Sequence, residues 1–143
     1  MIMEIRKLTK EEHPAALQRA LDVFMQFEAP IYPEEGVLDF THFIRDMAPG
    51  MAIDYYGAFD KGMLVGMMAM RKPRHLTLAF IRADYQCKGI GCRLFDCLLR
   101  DKGESAITVN SSPIAVAFYR KLGFKDTDTI QTTNGISYVP MCR

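Results

Sequence analysis

Apolar residues recur along the chain with two different periods, and the period predicts the type of each element. From residue 16 to residue 27 they follow helical spacing, and Thr9-Lys10-Glu11-Glu12 before them matches a capping box. From residue 52 onwards the spacing becomes that of strands. The first third of the chain is predicted to form a strand over Ile2–Leu8, a helix after Thr9 that ends before Pro30, and a helix over Glu34–Met47.

The rest of the chain predicts strands that are interrupted by two helices. Asp60-Lys61-Gly62 and Asn134-Gly135 are turn sequences that join neighbouring strands. Gly103 suits the left-handed end of one helix, and Ser112 followed by Pro113 suits the start of the other. The predicted elements are strands over Asp54–Phe59, Met63–Met70 and His75–Arg82, a helix over Gly89–Lys102, a buried strand over Ser105–Val109, a helix from Ser112 to Leu122, and strands over Phe124–Gln131 and Ile136–Met141.

The resulting order, β-α-α-β-β-β-α-β-α-β-β, predicts a mixed α/β fold. At 143 residues, without repeats or linkers, the chain is expected to form a single domain over residues 1–143. The net charge of +1 argues against a nucleic-acid binder, which needs a basic excess to neutralise phosphates. We expect a cytoplasmic protein without a membrane segment, because no apolar run approaches roughly 20 residues and no signal peptide precedes the first strand.

The four cysteines do not form a recognisable metal or disulfide pattern. They contain no C-x-x-C pair, and no histidines stand at matching spacing. We therefore expect reduced thiols and no metal site.

The segment Gln86–Gly91 carries the clearest binding signal. It lies between an apolar strand and a helix, where unpaired backbone N–H groups and the helix dipole favour a phosphate. Its glycines allow the backbone to approach a bulky anion. A P-loop would require Lys and Ser or Thr after Gly91, where Cys92-Arg93 stands, and a dinucleotide motif would require Gly at Leu94.

A second motif follows about twenty residues later, from Asn110 to Phe124, and it contains Phe118-Tyr119-Arg120-Lys121-Leu122-Gly123-Phe124. The two motifs together resemble the Q/R-x-x-G-x-G/A turn and the F-Y-x-K-L-G-F signature of the GCN5-related N-acetyltransferases. The resemblance implies a mostly antiparallel central sheet with helices on both faces. It also implies acetyl-coenzyme A as co-substrate, and direct transfer of its acetyl group to a primary amine in a ternary complex.

The resemblance assigns roles to particular residues. Tyr119 would donate a proton to the coenzyme A thiolate, and a free N–H near Phe80 or Ile81 would polarise the thioester carbonyl. Two neighbouring parallel strands would splay apart to receive the pantetheine arm, and the Asn110 amide would bond cofactor or helix backbone. The pyrophosphate turn would use the backbone of Gln86, Cys87, Lys88, Gly89, Ile90 and Gly91, with charge added by Lys88 and Arg93.

The general base is open, because the predicted strand Met63–Met70 carries no ionisable side chain up to Met70, where many relatives have a Glu. The candidates are Glu34, Glu35, Asp54 and His75. For the acceptor, a small-molecule or peptide amine, the expected contacts are Tyr32, Glu34, Glu35 and Asp54, because carboxylates and an aromatic face attract a cation.

Two other functions stay open on the sequence. One is a sensor that binds acyl-coenzyme A with little or no turnover, which the missing strand carboxylate favours. The other is an interaction domain without a cofactor, for which both motifs would be accidental. The last strands, ending at Met141-Cys142-Arg143, are available to pair across a homodimer.

Overall fold

Eight strands form the centre of the fold, and residues 3–143 are described by the computed structural model. Their bounds are β1 (Glu4–Lys7), β2 (Ile53–Asp60), β3 (Met63–Arg71), β4 (His75–Ile81), β5 (Thr108–Ser111), β6 (Lys125–Asp126), β7 (Gln131–Thr133) and β8 (Ile136–Cys142). The strand order is β1-β2-β3-β4-β5-β8-β6, and β7 pairs with β8. Every pair is antiparallel except β4 and β5, so the predicted mixed, mostly antiparallel sheet is confirmed.

Four α-helices cover the two faces of this sheet. They are α1 (His13–Phe27), α2 (Glu34–His42), α3 (Ile90–Lys102) and α4 (Val116–Lys121). The apolar stripe of α1, including Leu17, Leu21 and Phe24, packs on one face, and Leu94 and Leu98 of α3 pack on the other. Neither these nor any other helix between residues 3 and 143 is long and apolar enough to cross a bilayer.

Both predicted hairpin turns are present, and each has two residues in the left-handed region. Lys61 and Gly62 have φ of 51° and 78° between β2 and β3. Asn134 and Gly135 have φ of 52° and 79° between β7 and β8. Two consecutive positive φ values match the right-handed twist of the flanking strands, and Gly or Asn reaches them at least cost.

The N-terminal elements differ from the prediction at their ends. The first strand covers Glu4–Lys7, and the predicted start at Ile2 lies outside the described residues. The second helix is α-helical only to His42, and the chain continues as a π turn over Phe43–Met47 and a 3-10 turn over Ala48–Gly50. Pro49 explains the change, because it has no N–H to donate and its ring crowds the preceding helical turn.

The C-terminal elements also differ from the prediction. The strand predicted over Ser105–Val109 begins three residues later, since the Arg74 guanidinium occupies the carbonyls of Ser105 and Ala106. The strand predicted over Phe124–Gln131 is split into β6 and β7. Pro140 on β8 accepts from the Thr127 N–H but cannot donate in return, so the ladder stops there.

The last helix begins later than predicted. Residues Pro113–Ala115 form a 3-10 turn before α4, and the Ser112 side chain makes no capping bond. The third helix begins at Ile90, with Gly89 as its N-cap.

Candidate active site

An opening between β4 and β5 defines the candidate site. The two parallel strands are in register at only two pairs, His75 with Thr108 and Leu76 with Val109. The β3–β4 register then shifts between Ala69 and Met70, which leaves Thr77 as the extra residue of a bulge in β4. A bulge bends its strand, so β4 diverges from β5 immediately after the last paired residue.

The cleft at this opening has a volume of about 160 Å3. Its floor is β4 from Leu76 to Phe80, and its sides come from α1, β5, the segment before α4, α4 itself and β8. Polar residues of its lining include Glu28, Tyr32, Asn110, Ser112, Tyr119 and Ser137.

The turn before α3 lies beyond the end of β4 and offers a row of backbone donors. The six N–H groups from Cys87 to Cys92 have no hydrogen-bond acceptor among residues 3–143. Gly89 has φ of 80°, and Cys87 has φ of 59° although it is not a glycine. Such a backbone, at a helix N-terminus, is suited to bind an anion.

Gly89 and Gly91 are each favoured in the turn for a different physical reason. A Cβ on Gly89 would meet nothing within 4 Å, so this glycine is favoured by its positive φ. A Cβ on Gly91 would lie 2.7 Å from the Phe118 ring. Gly91 is therefore needed to pack α3 against α4, and the sequence-based account, which gave both glycines to the approach of an anion, is incomplete.

Side chains around the turn have separate roles. Gln86 Nε2 donates to the Ile81 carbonyl at 2.9 Å, so the side chain holds the turn to the end of β4. Lys88 and Arg93 are exposed and form no ion pair with any residue from 3 to 143. Lys88 Nζ lies 5.7 Å from the centre of the Tyr85 ring. Both cations are thus available to an anion at the turn.

The β3–β4 register shows that the backbones of Phe80 and Ile81, the two residues expected near the thioester, face opposite directions. The Arg82 N–H donates to the Val65 carbonyl on β3 at 2.8 Å. Because hydrogen-bonded residues alternate along an antiparallel pair, the Phe80 backbone faces β3 and the Ile81 backbone faces the opening. Of the two residues, only Ile81 therefore has a backbone N–H that faces the opening, and Phe80 contributes its side chain to the cleft.

Tyr119 and Asn110 both line the cleft. The Tyr119 ring packs against Phe118 and Phe124, which leaves its hydroxyl as the polar tip of a buried side chain. Burial raises the pKa of Tyr119, and the nearby charge of Glu28 raises it further, so the phenol stays protonated at neutral pH.

Glu28 is a cleft residue that the sequence analysis missed. It is the one carboxyl group among the described residues that line the cleft. Burial raises its pKa from 4.5 to about 7, and the neighbouring Ser112 hydroxyl opposes that change. The Ser112 Oγ is itself buried and has no hydrogen-bond partner of normal geometry in residues 3–143. The sequence did contain a signal for Glu28. An acidic side chain at a helix C-terminus interacts unfavourably with the helix dipole, so its presence there indicates a role other than helix stability.

The far side of the cleft is closed by the β7–β8 hairpin. The Tyr32 hydroxyl donates to the Ser137 carbonyl at 3.0 Å. A Cβ on Gly36 would lie 2.5 Å from the Gly135 carbonyl oxygen, so the hairpin turn and the start of α2 touch backbone to backbone. The hairpin is therefore fixed to the segment that joins α1 and α2.

The structure keeps the other predicted acceptor and base residues out of the cleft. Glu34 and Glu35 are exposed on the first turn of α2. Asp54 lies at the start of β2 and is paired with Lys102 and Lys7. His75 lies at the closed end of the opening, where Nδ1 bonds Thr108 Oγ1 at 2.8 Å. Burial lowers the pKa of His75 to about 4, and nearby Arg71 acts in the same direction.

Known proteins share this architecture. The sequence model of the acetyltransferase (GNAT) domain matches residues 28–143. The fold is similar to that of a GCN5-related N-acetyltransferase from Rhodopseudomonas palustris, with a TM-score of 0.80 and 22% identity over 100% of this chain and 98% of that one. It is also similar to the PaiA N-acetyltransferase from Thermoplasma acidophilum in complex with coenzyme A, with a TM-score of 0.78 and 22% identity over 100% and 99% of the two chains. No curated protein sequence matches the chain significantly.

Proposed function

This chain belongs to the GCN5-related N-acetyltransferase family, and we propose that residues 1–143 form one N-acetyltransferase domain that acetylates a primary amine. Acetyl-coenzyme A is the acyl donor of the family. The observation that carries the proposal is the continuity of the site. The free edge of β4 and the Tyr119 side chain line one cleft, and the turn with the free N–H groups at residues 87–92 is held to the end of β4 by Gln86.

The residues fit the parts of this donor in order. The N–H groups from Cys87 to Cys92 would hold the pyrophosphate, with Lys88 and Arg93 adding positive charge. The unpaired edge of β4 beyond Leu76 would bond the pantetheine amides as a neighbouring strand does. When bound, acetyl-coenzyme A supplies an acetyl group activated as a thioester.

The chain supplies the polarisation and the groups that transfer protons. The Ile81 N–H would donate to the carbonyl oxygen as negative charge develops on it. The Glu28 carboxylate would accept a proton from the acceptor ammonium, which frees the nitrogen lone pair to attack. The Tyr119 hydroxyl would donate its proton to the departing sulfur. As the C–N bond forms and the C–S bond breaks, the nitrogen would give its second proton to the Tyr119 oxygen, which restores the phenol, and the transfer is direct.

Glu28 also bears on the alternative function. The absence of a carboxyl group on the strand Met63–Met70 favoured a sensor with little turnover. A buried carboxyl group now enters the same cleft from the end of α1, so that reason no longer favours the sensor. The same carboxylate favours a cationic amine as the acceptor, because it is the only formal negative charge lining the described cleft.

The proposal is tested by titrating the protein with acetyl-coenzyme A by calorimetry and then measuring thiol release with mono-, di- and polyamines and lysine peptides. We expect micromolar binding and amine-dependent release. Binding without release on any amine would favour the sensor. No binding at near-millimolar donor would overturn both functions.

A pair of charge reversals, one in the turn before α3 and one in the last turn of α3, localises the donor. Lys88→Glu places a negative charge at the turn and should weaken donor binding about tenfold by repulsion. Arg100→Glu makes the same change in the last turn of the same helix, on an exposed residue, and should leave binding unchanged. Equal effects of the two variants would contradict the assignment of the turn.

A further inference from the structure

A second, larger cavity lies away from the cleft and shares no lining residue with it. It has a volume of about 690 Å3 and is bounded by the N-terminal half of α1, the segment from residue 44 to residue 52 and the start of β2. We call it the N-terminal cavity. Its size falls in the range of small-molecule sites.

Apolar side chains form most of its wall. Leu17 and Leu21 of α1 face Ile44 and Met51, and Ile53 adds the start of β2. Ile44 belongs to the π turn over Phe43–Met47, a rare backbone that is frequent at functional sites. An apolar part of a ligand would therefore find partners on several sides.

The charge at the N-terminal cavity is positive. Lys10 and Arg45 line it, and neither forms an ion pair with any residue from 3 to 143. The one carboxylate in the lining, Asp54, is already paired with Lys102 and with Lys7. Lys10 and Arg45 are therefore both available to pair with an anionic ligand.

Tyr55 adds an unused hydrogen-bond donor. It lines the N-terminal cavity, only 2% of its surface is exposed, and its ring stacks on His13 at 4.3 Å. Its hydroxyl makes no hydrogen bond to residues 3–143 and is not itself a buried atom, and burial of the side chain raises its pKa to about 12, so it keeps its proton. A hydroxyl that borders the cavity and has no partner in the described residues can donate to a ligand.

We propose that the N-terminal cavity binds a small amphipathic carboxylate. Its aliphatic or aromatic body lies against Leu17, Leu21 and Ile44, and its carboxylate is held by Lys10 and Arg45. The Tyr55 hydroxyl donates to the same ligand. This site is separate from the proposed acetyl-transfer site and does not depend on it.

The test is a calorimetric titration of the protein with sodium octanoate and with 3-phenylpropionate, and with octylamine as the cationic counterpart. We expect the carboxylates to bind and octylamine not to bind at this cavity. Saturating coenzyme A should leave carboxylate binding unchanged. The double variant Lys10→Gln/Arg45→Gln should lose affinity about tenfold or more, as expected for charge-assisted hydrogen bonds. Tyr55→Phe, which keeps the stacked ring, should lose affinity several-fold.

Arg100→Gln is the control, because this exposed arginine on α3 lies outside the lining of the cavity. Melting temperatures near that of the parent protein would show that the variants are folded. Three results would overturn the proposal: no binding of either carboxylate at millimolar concentration, equal binding of octylamine, or full affinity in the double variant. Displacement of octanoate by coenzyme A would assign the binding to the cleft instead.

Discussion

The stability of the fold and the proposed catalysis favour opposite charge states of Glu28. Burial favours the neutral acid and raises the pKa of Glu28 to about 7, while a base must be ionised. A carboxyl group with a pKa close to neutral pH can exchange a proton with an amine at little cost. The same burial means that ionisation at higher pH destabilises the fold.

We therefore expect Glu28→Gln to have opposite effects on activity and on stability. kcat/KM should fall about a hundredfold, and the rise of kcat/KM with pH through about 7 in the parent protein should disappear. The free energy of unfolding at pH 8 should rise by on the order of 1–2 kcal/mol, because the parent protein loses stability as pH rises from 4.5, the pKa of the unfolded carboxyl group, to about 7, the pKa of the folded one.

The control for this prediction is Asp96→Asn, an exposed carboxyl group on α3. It should change neither the pH profile nor the unfolding curve. If Glu28→Gln keeps the pH profile of the parent protein, Glu28 is not the base, whatever the change in rate.

Removal of the hydroxyl oxygen of Tyr119 is the most direct test of its proposed role as proton donor. Tyr119→Phe keeps the contacts of the ring with Phe118 and Phe124 and removes the proposed proton donor. kcat should fall about a hundredfold while the Kd for coenzyme A changes less than threefold, as measured by thiol release and calorimetry. Full turnover in this variant would exclude the acid role.

At the scale of elements, Arg74 joins the α3–β5 loop to the start of β4. Its guanidinium donates to four carbonyls: Lys102 at 2.7 Å, Gly103 and Ser105 at 2.8 Å, and Ala106 at 3.1 Å. The Arg74 carbonyl also accepts from the Thr108 N–H at 3.0 Å, beside the two paired positions of β4 and β5. Arg74 thus holds the closed end of the opening.

Arg74→Lys should destabilise the protein by about 1–2 kcal/mol, because an ammonium cannot reproduce a planar fork that reaches four carbonyls. Urea unfolding measures this directly. Arg100→Lys, on an exposed arginine without a hydrogen bond to residues 3–143, should have no effect. No loss of stability in Arg74→Lys would show that water satisfies the loop carbonyls equally well.

These elements also show what could be predicted from the sequence. The turn before α3 and both hairpins were predicted because their chemistry is local: glycines and asparagines at positive φ and alternating strands. The start of β5 and the position of Glu28 in the cleft were not, because each depends on contacts between distant segments. Arg74 sets the first, and the packing of α1 beside Ser112 and Tyr119 sets the second.

For the whole molecule, the contact between Gly36 and Gly135 connects the last hairpin to the helices on the other side of the cleft. Gly36→Ala would place a Cβ 2.5 Å from the Gly135 carbonyl oxygen, so the hairpin must move. We expect KM for the amine to rise several-fold with little change in coenzyme A affinity, because the hairpin borders the acceptor side of the cleft.

Gly50→Ala is the matched control, since its new Cβ would meet nothing within 4 Å. Steady-state kinetics on both variants, with urea unfolding to measure the cost in stability, separates displacement of the hairpin from a general loss of fold. An unchanged KM for the amine in a folded Gly36→Ala protein would show that the acceptor does not use this wall.

The sheet consists of two blocks, β1–β4 and β5–β8, that share backbone pairing at only two positions. A ligand in the opening between them would supply hydrogen bonds that the polypeptide leaves unmade. Resistance of the protein to unfolding would then follow the concentration of that ligand, since binding only the native state shifts the folding equilibrium by mass action. Amide hydrogen exchange at the free edge of β4 would report how much of the sheet is completed from outside the chain.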